Sequence, residues 1–236
     1  MQMFKGTLLK LSFLFNITTF LLLFVICGQL NAQIVKILTI PPSSQQTDSF
    51  RNLYGHNKVF FDDIEKAALV ALSYFPDLKD VSIEFRIRKI KTTMAARPKY
   101  SDLLKSKEKR KYLICMNNRA NCMGLVFFDK LTFDAQVGVI AHELCHVYDY
   151  TQLSLLGITR FGFNYLTVYG RRKTENRTDE AVIKHGLGKA LSKYCYYLEH
   201  DDCLPAKYIA YKKKYYYSYS DIERLTSEWE SSHLQN

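Results

Sequence analysis

Between Val81 and Arg88 apolar and polar residues alternate, with Val81, Ile83, Phe85 and Ile87 on one side and Ser82, Glu84, Arg86 and Arg88 on the other. That period of two predicts a strand with one buried face. Upstream, Phe60, Phe61, Ile64, Ala67, Ala68, Ala71, Leu72 and Phe75 recur at helical spacing until Pro76 ends the run. Two short apolar runs, 112–116 and 125–128, read as further strands joined by an Asn-rich turn. Beyond them the period becomes helical. The pattern predicts helices over about 134–150, capped by Thr132 or Asp134, over about 173–194, loosened by Gly186 and Gly188, and over about 221–233. Residues 34–57, with Pro41-Pro42 and a Ser/Gln-rich run, read as an extended lead-in. Residues 153–169 are apolar and aromatic but too short and interrupted to span a bilayer. Strands first and helices later predict an α+β domain, with helices packed on one small twisted sheet.

Composition changes the picture mainly at the ends. Lys5 and Lys10 precede the apolar block Phe20–Cys27, and Leu30-Asn31-Ala32 closes it with small and polar residues. Residues 1–32 therefore read as a signal peptide cleaved near Ala32, with an uncleaved membrane anchor as the alternative. The protein is then exported, periplasmic or secreted, and 33–236 is one domain. The net charge of +10 is spread over several clusters with no nucleic-acid-binding module beside them. No nucleic acid partner is expected, and attraction to anionic membrane or cell-wall surfaces is the secondary expectation. In an oxidising compartment Cys115 and Cys122, and likewise Cys195 and Cys203, bracket short turns and suggest two local disulfides, one of the three connectivities that four cysteines allow. Cys145 is left as a buried thiol.

The chemistry concentrates at residues 142–146, His-Glu-Leu-Cys-His. Histidines four apart lie about one helical turn from each other, so both imidazoles can reach one metal ion, with Glu143 beside them as a base. At about 100° per residue, His146 falls near 40° from His142 and Glu143 near 100°. Val137, Ile140, Leu144 and Tyr148 fall roughly between 160° and 240°, which opposes a core face to the ligand face. Cys145 lies on a flank and is not assigned to the metal.

A third ligand is sought downstream, where Glu175, Asp179, Val182 and Ile183 occupy one helical stripe. A carboxylate pointing inward is costly unless a metal or a donor meets it. Glu180 competes as ligand, from a worse direction on the wheel. Residues 134–190 resemble the gluzincin branch of the zincin metallopeptidases, which place a glutamate on a later helix with an aspartate four residues beyond it. The metzincin branch is disfavoured, since Asp149 and Gln152 stand where it has Gly and a His or Asp.

The resemblance implies a zincin-like fold and one zinc ion held by His142, His146 and Glu175. Asp179 would orient His142, and Asp149 is a further candidate for the second shell. Glu143 would be the general base in hydrolysis of a peptide or protein substrate, lying as an added strand on a sheet edge within the 112–128 pair. An oxyanion donor is expected among Tyr215–Tyr217, Tyr219, His185 and His200, with none singled out. Two other readings are a catalytically silent, zinc-stabilised envelope binding module and an envelope interaction protein.

Overall fold

Ser43 and Gln46 open the first helix by capping each other. The Ser43 hydroxyl accepts from the Gln46 N–H at 3.3 Å, and the Gln46 side chain accepts from the Ser43 N–H at 2.9 Å. The expected extended lead-in is thus largely helix α1 (Ser44–Tyr54). Its signal was hidden because Thr47 is the one residue it buries. The computed structural model describes residues 41–118 and 125–233, within one unit spanning Ile40–Asn236. The signal-peptide reading over 1–32 and Cys122 lie outside the described residues.

After α1 come β1 (Lys58–Val59), α2 (Asp62–Ser73), β2 (Ser82–Arg88), β3 (Met94–Pro98) and β4 (Lys111–Asn117). The four strands form one mixed sheet in the order β1-β2-β4-β3, in which β1, β2 and β4 run parallel and β3 runs antiparallel to β4. Phe85 and Ala96 flank Ile114 in register from either side. The central strand β4 is buried from Tyr112 to Asn117, as a strand covered on both faces requires. Strand β3 gave no warning in the sequence, because Met, Ala and Pro are weak strand formers and only the pairing to β4 fixes them. It occupies the sheet edge that was expected within the 112–128 pair.

The helical half comprises α3 (Leu125–Lys130), α4 (Phe133–Gln152), α5 (Leu155–Asn164), α6 (Val168–Val182), α7 (Gly188–His200), α8 (Ala206–Tyr215) and α9 (Tyr219–His233). The α+β expectation holds, with a small mixed sheet and mostly helical content. The run 125–128 is helix α3 instead of a strand. Four apolar residues fit either period, and burial of Phe127 and Phe128 satisfies both readings equally. Neither local pairing forms, since Cys115 and Cys195 are free thiols, although Cys203 is disulfide-bonded as expected. Cys115 points into the core from β4 and Cys195 from the buried side of α7. A short sequence separation could not reveal those directions.

Helix α4 is the pivot of the packing, touching α2, α6, α7 and β3. It is buried continuously from Val137 to Val147, so its ligand face is covered as well as its core face. The expected helix over 173–194 is divided at Ile183–Leu187, where Gly186 adopts φ 80°. A Cβ there would meet only the Tyr74 ring, at 3.9 Å or more. Gly186→Ala is therefore expected to cost about 1–2 kcal/mol through backbone strain alone. Urea unfolding checks this, and an unchanged midpoint would refute it.

Candidate metal centre

Helices α4 and α6 bring the three candidate ligands together. Glu175 Oε2 lies 3.2 Å from His142 Nε2 and 3.3 Å from His146 Nε2. These spacings match a tetrahedral edge of ~3.3 Å for ligand atoms ~2.0–2.1 Å from zinc. All three ligand atoms lie within 4.8 Å of one another. The residues are 6 %, 7 % and 3 % exposed in sequence order. A buried His142, His146 and Glu175 group of this kind can hold a metal ion.

The far ring nitrogens decide whether the near ones can serve. His142 Nδ1–H donates to Asp179 Oδ1 at 2.8 Å, and His146 Nδ1 lies 3.5 Å from Thr178 Oγ1. The Thr178 hydroxyl donates to the Thr174 carbonyl at 3.0 Å, which turns its lone pairs towards His146. Both imidazoles are thereby biased to carry their proton on Nδ1 and offer Nε2 to a cation. Asp179→Asn is expected to weaken metal-ion binding about 10–100-fold, with a smaller loss for Thr178→Val because its bond is longer. Competition with a chromogenic chelator measures both, and equal affinity in all three chains would remove the orienting role.

In the metal-free chain the same cluster retains a proton. Burial opposes a charged His142, but the hydrogen bonds and charges of Asp179 and Glu175 outweigh it and push its pKa up to about 10. Burial likewise opposes a charged Glu175, yet both histidines hold it well below the usual carboxylate range. A cation must displace that proton at neutral pH. Calorimetry in buffers of different ionisation enthalpy should therefore report about one proton released per divalent ion bound. No buffer dependence would contradict this electrostatic account.

Glu143 projects beside His142 and is 6 % exposed, and its Oε2 has no hydrogen-bond partner among the described residues. It opens on two hollows. One, of about 300 Å³, is lined by Val139, Leu191, Tyr194 and Lys212; the other, of about 370 Å³, by Ala95–Arg97 of β3, Tyr150, Phe161 and Tyr165. Tyr216 lines both, with its ring centroid 5.7 Å from that of His142. Burial and the neighbouring Glu175 hold the Tyr216 phenol neutral, well above its ordinary range. The Tyr165 phenol is raised in the same way, by burial first and then by the Glu175 charge.

The other expected residues find different settings. Asp149 pairs with Arg177 at 2.5 Å, while His146 uses Thr178. Glu180, the competing ligand, accepts a hydrogen bond from the Tyr217 hydroxyl at 2.9 Å. His185 faces the Tyr74 carbonyl and stacks on Phe75, and His200 stacks on Tyr196. Cys145 is buried outside the ligand group. Burial raises the Cys115, Cys145 and Cys195 thiols above their ordinary range, which makes them poor nucleophiles. Thr178 and Tyr165 were missed by sequence reasoning. Thr178 did leave a faint signal, three residues after Glu175 and so on the same side of α6. No family model, curated protein or solved structure matches the chain.

Proposed function

We propose that the protein is a zinc-dependent peptide hydrolase, in keeping with the gluzincin-like spacing of its motifs. The observation that carries the reading is the setting of Glu143: next to a ligand on α4, buried, lining both hollows, and with one carboxylate oxygen that has no hydrogen-bond partner among the described residues. Two imidazoles and one carboxylate are a donor set that suits zinc and leaves a fourth position open. Bound there, zinc would lower the pKa of a water towards neutrality and polarise the scissile carbonyl.

The chain's own residues supply the rest. Asp179 and Thr178 hold the imidazoles in register, and Tyr165 shares with Glu175 the wall of the hollow beside His146. Glu143 takes the proton of the attacking water and delivers it to the departing amine. Tyr216, neutral and facing the cleft, is placed to donate to the oxygen of the carbonyl under attack. A peptide adding as a strand along the edge of β3 would run past Ala95–Arg97 into the hollow beside His146. Burial of the histidines, Glu143 and Glu175 keeps bulk water from competing for these groups. A silent zinc-stabilised module has no use for Glu143, which would there be a buried carboxylate oxygen without a partner.

Zinc content and a peptide-library cleavage profile test the reading together. About one zinc per chain is expected, lost in Glu175→Ala, with cleavage at internal peptide bonds. Zinc without cleavage would favour the binding module, and absence of both would dismiss the metal centre.

A further inference from the structure

Helix α5 and the turn into α6 leave an uncommon amount of apolar surface outside. Leu156 is 79 % exposed, Phe163 64 %, Leu166 77 % and Tyr169 77 %. On α5, Leu156, Arg160 and Phe163 follow the i, i+4, i+7 spacing of one outward face, while Phe161 turns in against Tyr150 and Tyr165. Along the chain, the charge of this stretch has one sign. From Tyr150 to Thr174 there is no Asp or Glu, whereas Arg160, Arg171, Arg172 and Lys173 are present. Arg160, Arg172 and Lys173 are exposed and make no ion pair within 4 Å among the described residues.

We infer that this corner, α5 with the first turn of α6, docks on an anionic lipid surface. Each part matches one layer of a bilayer interface. Leu156, Phe163 and Leu166 would enter the acyl boundary, Tyr169 would sit at headgroup level, and the cations would meet lipid phosphates. The lack of acids across 25 residues removes the repulsion that such a surface would otherwise impose. The inner side of the same helix, with Ile158, Phe161 and Gly162, lines the hollow beside His146. Docking would therefore hold that hollow within about one helix diameter, ~10 Å, of the lipid. The inference goes beyond the hydrolase reading and does not depend on the metal.

The test places a reporter on the docking face of the full chain. Trp229 is the sole tryptophan and lies on α9, so Trp229→Phe combined with Phe163→Trp moves the fluorophore to α5. Vesicles of brominated phosphatidylcholine with phosphatidylglycerol should quench the tryptophan at 163 several-fold more than Trp229 in the unsubstituted chain. The effect should fade in high salt and be weak on phosphatidylcholine alone. Leu166→Glu with Tyr169→Glu, both at well-exposed positions, should leave the circular dichroism unchanged and reduce vesicle partitioning about tenfold or more. A chain that reaches the vesicles with position 163 unquenched would overturn the inference, because attachment would then lie elsewhere, as at the apolar amino-terminal segment. It also falls if the double variant merely dissociates a dimer without altering lipid binding, which would make this face a contact between copies.

Discussion

Glu143→Gln is expected to lower the turnover of a cleavable peptide by about 10²–10⁴-fold while zinc stays at one equivalent. The amide matches the carboxylate in shape, so a 6 % exposed position with close neighbours need not repack. What it loses is the ability to take a proton. The direction of the change is informative because Glu143 Oε2 has no hydrogen-bond partner among the described residues to forfeit. Thermal stability should therefore change little, since the amide fills the same space. The peptide KM should move far less than kcat, because the proton transfer belongs to the transition state. Retained turnover in a zinc-loaded variant would remove Glu143 from the reaction and leave the binding-module reading in its place.

The second large effect is expected at Gly138, where α4 meets α7. A Cβ at that position would lie 2.3 Å from the Ala190 carbonyl oxygen and 2.7 Å from the Leu191 nitrogen, which are backbone atoms that cannot swing aside. Helix propensity favours Ala over Gly by about 1 kcal/mol. Overpacking against a fixed backbone costs about 1–3 kcal/mol or more, so the clash wins and Gly138→Ala should destabilise. Gly162→Ala on α5 is the contrast, because its Cβ would meet nothing within 4 Å and only the propensity gain remains. Urea unfolding of the two variants should move in opposite directions. Because His142 follows Gly138 by one turn on α4, parting α4 from α7 should also weaken zinc binding in Gly138→Ala. Equal or greater stability of that variant would show that the two helices slide apart freely, contrary to the close packing.

How much was legible depended on which interactions each residue uses. The strand at Ser82–Arg88 and the helices carrying His142 and Glu175 announced themselves because one periodic face is buried against something apolar. Helix α1, with Thr47 alone buried, and α8, rich in Lys and Tyr, lack that asymmetry and were not foreseen. Strand β3 exists because β4 pairs with it, and α3 could not be told from a strand over four residues. The two local cysteine pairings failed for a related reason. Spacing brought Cys115 near Cys122 and Cys195 near Cys203 along the chain, but the core claimed the thiols of Cys115 and Cys195. Asp149 was chosen by angle on an ideal wheel, whereas its side chain meets Arg177 and leaves His146 to Thr178.

Local spacing alone determined that His142 and His146 share a helical face with Glu143 beside them, and that Glu175 and Asp179 share another. A helix repeats every 3.6 residues wherever it is placed, so those relations needed no partner. Only the tertiary structure decided that the two faces meet, with Glu175 bridging both imidazoles and Asp179 behind His142. It also decided that β3 forms the edge beside them and that Tyr216 stands between two hollows. Those contacts join residues tens of positions apart, through burial and hydrogen bonds that no local period encodes.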